Sequence, residues 1–241
     1  MIVTDGIAPI AVAVELFRAL SRVRRRFFTY RLVIGPEYYA AAVYLARTGN
    51  KSKRIIGGIF LDLLGSANPV TYQHSLTGNS ALDRAAAKIF GMAGMPFRGL
   101  FGNDEIFYNG PGYGIPMIGI GSRQAPYYHT SDDDFNRLNM LRLRETIRKL
   151  WQLVSVLEKE GGTDSVPLSV AKGPWHLSRR GVEPLLDRHS ELWPLMTDLQ
   201  LAMDGKRTCR DLAAEFSLTP ELVQELCRQL AHSGAIRIKL R

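Results

Sequence analysis

The chain has 241 residues, of which 46% are apolar and 22% charged, and this composition excludes wholesale disorder. It contains no run of the roughly 18–20 apolar residues that a membrane span requires. No basic segment precedes the apolar N-terminus, so we expect it to be a poor signal peptide. The net charge of +8 arises mainly in residues 1–60, which carry ten Lys and Arg against three Asp and Glu.

Helical and strand patterns alternate along the first 160 residues. Apolar spacing predicts a first helix over 8–21, with one face formed by Ile10, Val14, Phe17 and Leu20. Further helices are predicted over 37–47, 80–92 (capped by Asn79) and 137–160, and strands over 27–34, 54–64, 69–74 and 115–121. Residues 93–114 are rich in Gly and Pro and predict a loop, with a short strand near 97–101. The alternation predicts an α/β domain with a largely parallel sheet, in which strand 54–64 is buried on both faces.

The pattern changes after residue 160. Residues 161–190 predict an irregular connector, because Gly and Pro recur there. Three short helices follow, and Thr208 and Thr219 are suitable N-caps for the last two. We predict these helices over 191–203, 209–216 and 220–232, and a final strand over 235–240. Three helices and a strand in this order predict a small winged helix-turn-helix over 191–241, and hence three parts to the chain, 1–160, 161–190 and 191–241.

The basic residues have two interpretations. Four arginines, at 22, 24, 25 and 26, end the first predicted helix, where cations complement the helix dipole or meet an anionic partner. In the winged helix, the proposed recognition helix carries Glu221 and Glu225 beside Arg228, so DNA binding is disfavoured and a structural or partner-docking role is favoured. Cys209 and Cys227 fit neither a disulfide framework nor a zinc knuckle, which favours the cytoplasm.

Acidic residues and one histidine recur at the ends of the predicted strands. Asp5 precedes the first helix, Glu37 follows strand 27–34, Asp62 lies late in strand 54–64, and His129 follows strand 115–121. Functional groups of an open α/β sheet collect beyond the carboxyl ends of its strands. Carboxylates with imidazole suit zinc, cobalt or manganese, although each residue alone is equally typical of a helix cap or a solvated strand end.

Four segments, in order, resemble the zinc aminopeptidase superfamily of bacterial leucyl aminopeptidases and glutamate carboxypeptidase. They are TDGIAPIAVAVELFRAL, RLVIGPEYYAA, GIFLDLLG, and NDEIFYNGPGYGIPMIGIG followed by YYHTSDDDF. The chain is most similar to the subgroup of aminopeptidase-like proteins linked to polysaccharide biosynthesis, in which Pro-Glu replaces Glu-Glu, Asp-Glu replaces Asp-His, and a winged helix follows. The resemblance spans about 1–160 and, more loosely, 191–241.

The resemblance implies a role for each residue. Asp5 would bridge two zinc ions, and Asp62 and His129 would each complete the coordination of one. Glu37 would be a metal ligand or the general base toward metal-bound water. Asp104 or Glu105 would bind the α-amino group of a peptide-like or small amide substrate. These roles describe a metal-dependent hydrolase, and a homo-oligomer is compatible with them.

The sequence also departs from the superfamily. A histidine ligand upstream of the bridging aspartate is expected, but none of the five histidines precedes Asp5, and Ala8-Pro9 replaces the usual Ser-Gly. We therefore expect either an N-terminally truncated enzyme or a degenerate relative that binds one ion weakly. His74 is a weak candidate for the missing ligand. The alternatives are a non-catalytic binding or assembly protein with the same fold and, less favoured, a DNA-binding regulator.

Overall fold

The structure is a computed structural model and describes residues 2–24, 26–163, 165–170, 173, 175 and 181–240. The chain divides into two compact units, Met1–Leu157 and Glu158–Arg241. Within the described ranges, no helix combines the length and the apolar character that crossing a membrane requires.

The first unit is built on a three-stranded mixed sheet. Its strands are β1 (Gly58–Leu61), β2 (Val70–Gln73) and β3 (Met117–Ser122), in the order β1-β3-β2. β1 runs parallel to β3, with Gly58 opposite Met117, and β2 runs antiparallel, with Val70 opposite Ser122. The α/β class is confirmed, whereas the predicted dominance of parallel strands is not shown. β3 is buried at all its positions, and β1 is only partly buried rather than covered on both faces.

Helices surround this sheet. A single π-helical turn (Val3–Ile7) leads into the first of them, and short 3₁₀ turns cover Gly49–Arg54 and Phe135–Arg137. The helices are α1 (Ala8–Ser21), α2 (Tyr39–Thr48), α3 (Ala81–Phe90), α4 (Glu105–Asn109) and α5 (Met140–Thr163). The main core lies between α1, α3, α5 and the sheet, and it includes Leu16, Tyr72, Ile118, Ile120 and Leu150.

The predicted helix over 8–21 is present, and its predicted face is half right, because Leu20 is buried and Phe17 packs against the core but Ile10 and Val14 do not. Val12, Leu16 and Leu20 are buried, whereas Ile10 and Val14 are 43% and 42% exposed. Apolar residues occur on both sides of this helix, so spacing alone did not select the side that packs. The N-cap of α3 also differs by one residue, because Ser80 rather than Asn79 accepts from the Asp83 N–H and completes a capping box.

Two predicted strands are absent from the described residues. Residues 27–34 are irregular, and Leu32, Val33 and Ile34 are exposed there. A strand requires a partner for its backbone groups, and none of the described segments pairs with this one. Residues 97–101 form turns, and the only regular element in the predicted loop 93–114 is α4.

Among its described residues, the second unit has four helices and a two-stranded sheet. Its helices are α6 (Glu183–Arg188), α7 (Met196–Ala202) after a 3₁₀ turn (Ser190–Leu195), α8 (Cys209–Glu215) and α9 (Pro220–His232). β4 (Ser165–Ser169) pairs antiparallel with β5 (Ile236–Leu240), so a strand lies where we predicted an irregular connector. Residues 164, 171, 172, 174 and 176–180 of that connector lie outside the described residues.

The local signals in this unit are accurate. Thr208 and Thr219 cap α8 and α9, and Pro220 occupies the first turn of α9. The unit has its own buried core, which includes Leu212, Leu226, Leu230 and Ile236. Cys209 and Cys227 are fully buried, and their sulfur atoms lie 3.4 Å apart. The assignment of this unit as a winged helix, and the three predicted domain boundaries, stay predictions.

Candidate functional site

Asp5 is held in place by a buried aspartate from a distant loop. The Asp133 carboxylate is fully buried and accepts the Thr4 N–H at 3.0 and 3.1 Å and the Asp5 N–H at 3.4 Å. These N–H groups belong to the turn that precedes α1 and have no earlier carbonyl to bind. A carboxylate complements the positive end of such a turn, so Asp133 fixes the backbone that carries Asp5.

Asp62 lies where the chain leaves β1. Its carboxylate oxygen Oδ1 accepts the Leu63 N–H at 2.8 Å, and Leu63 adopts a left-handed backbone conformation with φ 49°. The neighbouring strand β3 has glycine at 121, where a methyl group would lie 2.1 Å from the Asp62 carbonyl oxygen. Gly121 therefore permits a backbone approach between β3 and Asp62 that a side chain would block, and the Leu64 N–H, which donates to the Thr4 carbonyl at 2.9 Å, joins this segment to the turn of Asp5.

Asp5, Asp62 and His129 form a contiguous chain of polar groups. His129 Nε2 lies 2.9 Å from Asp5 Oδ2, and the Asp5 and Asp62 carboxyl groups are hydrogen-bonded to each other. Burial, and then the charge of Asp5, raise the pKa of Asp62 to about 8. Burial also raises the pKa of Asp5, against the opposing effect of its bonds to Asp62 and His129. The two carboxyl groups consequently share a proton near neutral pH.

His129 is the solvent-exposed member of this group of three polar side chains. Its side chain is 60% exposed, its ring stacks on Tyr128 with the centroids 3.8 Å apart, and its φ is 58°. Three of the five described non-glycine residues with positive φ belong to this region, namely Tyr38, Leu63 and His129. Strained backbone of this kind clusters at functional sites, and here it accompanies the groups that the sequence singled out.

Glu37 approaches the pair from the turn before α2. The Asn103 side-chain amide donates to Glu37 Oε1, and the Tyr38 N–H donates to Asp104 Oδ1 at 2.6 Å. Burial is the main cause of the raised pKa values of Asp62 and Asp104, and the negative charge of Glu37 raises both further. Glu37 therefore lies close enough to Asp62 and Asp104 for its charge to act on both carboxyl groups.

Glu105 and His74 lie elsewhere. Glu105 is fully buried and accepts from the Gln73 side chain at 3.1 Å and from the Asn103 N–H, so its placement gives no support to contact with a substrate. His74 belongs to a separate network, where its Nδ1 lies 3.2 Å from Asp83. Sequence analysis did not identify Asp133, Tyr38 or Asn103. For Asp133, no local pattern distinguishes the buried member of a run of three aspartates.

The ligand atoms of these side chains are of the types that bind a divalent ion, but their positions do not surround one. Asp5, Asp62, Glu37 and His129 offer carboxylate oxygens and an imidazole nitrogen, which zinc accepts. Within the part of the chain that the structure describes, however, no three His, Cys, Asp or Glu side chains are arranged to hold a metal ion. A centre of two zinc ions does not fit these residues, and the predicted ligand roles stay predictions.

Two relatives place the chain among aminopeptidase-like folds. It is 22% identical over 220 residues to a Clostridium acetobutylicum protein provisionally assigned to polysaccharide biosynthesis, with an aminopeptidase-like domain, and the match covers 87% of this chain and 49% of that protein. A crystal structure of a provisionally described peptidase from the same organism superposes with a TM-score of 0.61 at 20% identity, covering 98% of this chain and 54% of the other.

A zinc aminopeptidase from Bacillus subtilis superposes with a TM-score of 0.49 at 18% identity, covering 64% of this chain and 41% of that enzyme. This TM-score is too low to establish a shared fold. The chain thus spans about half the length of the relatives it matches. Residues 1–160, well over half of the chain, match the family described as Domain of unknown function (DUF4910). The chain therefore belongs to the DUF4910 family.

Proposed function

We propose that this chain is a degenerate, metal-dependent aminopeptidase-like hydrolase, whose carboxylate pair binds a single divalent ion weakly and whose turnover is low. The observation that carries the proposal is the contact between the Asp5 and Asp62 carboxyl groups beside His129. Two partly buried carboxylates in contact repel each other when both are ionised. A divalent cation held by Asp5 and Asp62 would remove that repulsion.

The residues account for weak binding rather than a complete enzyme. Asp5 and Asp62 supply oxygen donors, and His129 contacts Asp5 from the exposed side. A bound ion would polarise a substrate carbonyl and acidify water. Because three donors do not surround one point, we derive no catalytic step through a metal. Asp62, with a pKa of about 8, can itself accept or release a proton near neutral pH.

The substrate class follows from the same carboxylates. We propose a peptide-like or small amide substrate, with Glu37 or Asp104 nearest to a positively charged amino group. Glu37 is exposed, and Asp104 is partly buried with its carboxylate held by the Tyr38 N–H.

The alternative is a non-catalytic binding protein that keeps the fold. It is favoured by one observation, the lack of a three-donor metal group among the described residues. The two proposals differ in whether the carboxylate pair binds a divalent ion at all and whether any amide is hydrolysed.

Calorimetry with zinc tests the proposal. We expect weak binding of one ion, with a dissociation constant of about 10 µM or higher, and slow or absent hydrolysis of a panel of aminoacyl chromogenic amides. Asp62→Asn and Asp5→Asn should each abolish the zinc signal, since each removes one of the two charged donors. Asp132→Asn, an exposed aspartate near the site, is the matched control and should leave it unchanged.

Two results would contradict this. Robust metal-dependent hydrolysis that Glu37→Gln abolishes would show a complete enzyme rather than a degenerate one. No zinc binding at any concentration would favour the non-catalytic alternative, with Asp62 and His129 retained only as part of the fold.

A further inference from the structure

A basic, aromatic-lined cavity lies on the other side of the turn that carries Glu37. It has a volume of about 590 Å³ and is formed by the extended segment 31–36 and one face of α2. Pro36 and Tyr39 line it, whereas Glu37 and Tyr38 between them face Asn103 and Asp104. The cavity is thus separate from the carboxylate cluster but shares a single turn with it.

Three cations line this cavity without a counter-charge. Arg31 comes from the extended segment, Arg47 from the last turn of α2, and Lys51 from the 3₁₀ turn that follows. None of the lining residues is acidic, and within the described part of the chain no carboxylate forms an ion pair with any of the three. Like charges around one cavity repel each other, and an anion relieves that repulsion.

The remaining walls suit a ring as well as a charge. Tyr39 and Tyr44 line the cavity with Val33 and Val43, and Tyr39 is 74% exposed. Arg31 Nη1 lies 3.4 Å from the Tyr44 hydroxyl, which links the two walls across the cavity. Exposed tyrosine beside arginine is a surface on which planar groups stack. The volume lies within the range of small-molecule sites, which run from about 300 to 1,000 Å³.

We propose that this cavity binds a small polyanion of the phosphate-ester class, with its phosphates on Arg31, Arg47 and Lys51 and a ring against Tyr39. Arginine binds phosphate oxygens in pairs, and three cations match a diphosphate better than a single carboxylate. The site accounts for part of the positive charge of residues 1–60, which the carboxylate cluster leaves unexplained. It requires no metal and does not depend on the proposed function.

Calorimetry of the full 241-residue chain in EDTA tests the proposal, with pyrophosphate and adenosine diphosphate as probes. We expect both probes to bind, with dissociation constants of about 1–100 µM that rise with salt. Arg47→Gln should lower the affinity for both probes about tenfold or more, since it removes a bidentate contact. Lys53→Gln is the matched control, because Lys53 is exposed on the same 3₁₀ turn but does not line the cavity, and it should change affinity less than about twofold.

A second variant separates the charge from the ring. Tyr39→Ala should lower the affinity for adenosine diphosphate about fivefold and leave the affinity for pyrophosphate unchanged, because only adenosine diphosphate has a base that can stack. Circular dichroism verifies that each variant is folded. The proposal is overturned if neither probe binds, or if Arg47→Gln and Lys53→Gln weaken binding equally. It is also overturned if a single-stranded oligonucleotide binds more tightly than either probe and Lys53→Gln weakens it, since that would indicate an extended basic surface.

Discussion

Replacing Asp133 by alanine should lower the free energy of unfolding of the first unit by about 3 kcal/mol. The buried carboxylate accepts the N–H groups of Thr4 and Asp5, and its removal leaves the buried Thr4 donor and the partly buried Asp5 donor without this acceptor. Hydrogen bonds to a charged acceptor each contribute about 1.5–3 kcal/mol. For a unit of this size the loss lowers the midpoint of thermal unfolding by about 6–12 °C, measured by scanning calorimetry.

Two variants make this prediction specific. Asp133→Asn keeps one acceptor oxygen and should lower the free energy of unfolding by less than Asp133→Ala does. Asp132→Ala changes the adjacent aspartate, which is exposed, and should alter the free energy by less than about 0.5 kcal/mol. Hydrogen exchange of the Thr4 and Asp5 amides should accelerate in Asp133→Ala alone. Equal effects of the two alanine variants would show that Asp133 does not anchor the turn.

The thermal stability of the chain should fall as the pH rises from about 6 to 8. The Asp62 carboxyl ionises near 3.8 in the unfolded chain and at about 8 in the folded one. Between these values the folded chain retains a proton that the unfolded chain releases, so rising pH favours unfolding, and the decline ends above the folded pKa. The raised pKa of Asp5 acts in the same direction.

Asp62→Asn should remove most of this pH dependence and raise the free energy of unfolding at pH 8 by about 2–3 kcal/mol. An amide keeps the size of the side chain and the bond from the Leu63 N–H, and it carries no charge to desolvate. Thermal unfolding at a series of pH values measures the effect, with Asp132→Asn as the control. A wild-type midpoint that does not change between pH 6 and 8, or an unchanged slope in Asp62→Asn, would contradict the shared proton.

Sequence patterns predicted the elements whose signals are local. The N-caps Thr208 and Thr219 and the buried strand β3 are examples, because a cap or a run of apolar residues is recognisable from neighbours in the chain. The prediction of a strand over 27–34 is wrong because the pairing of strands depends on which segments lie side by side in the folded protein. Only tertiary structure decides that Val12 rather than Ile10 packs into the core.

The candidate site shows the same division. Asp5, Asp62 and His129 were identified from their places at strand ends and in loops, and the structure brings all three into contact. Asp133 stands in a run of three aspartates, and nothing local shows that the middle one is buried while Asp132 is exposed. Its partners lie 129 and 128 residues away, so its role exists only in the folded chain.

The left-handed residues around the cluster bear on how this protein would respond to directed evolution. Tyr38, Leu63 and His129 occupy backbone conformations that glycine or asparagine adopts at lower cost. A screen that rewards thermostability alone would therefore accept such replacements in these turns and loosen the positions of Glu37, Asp62 and the imidazole. Libraries should hold these three positions fixed and seek stability in the second unit or on the exposed surface of α1, where a gain costs the site nothing.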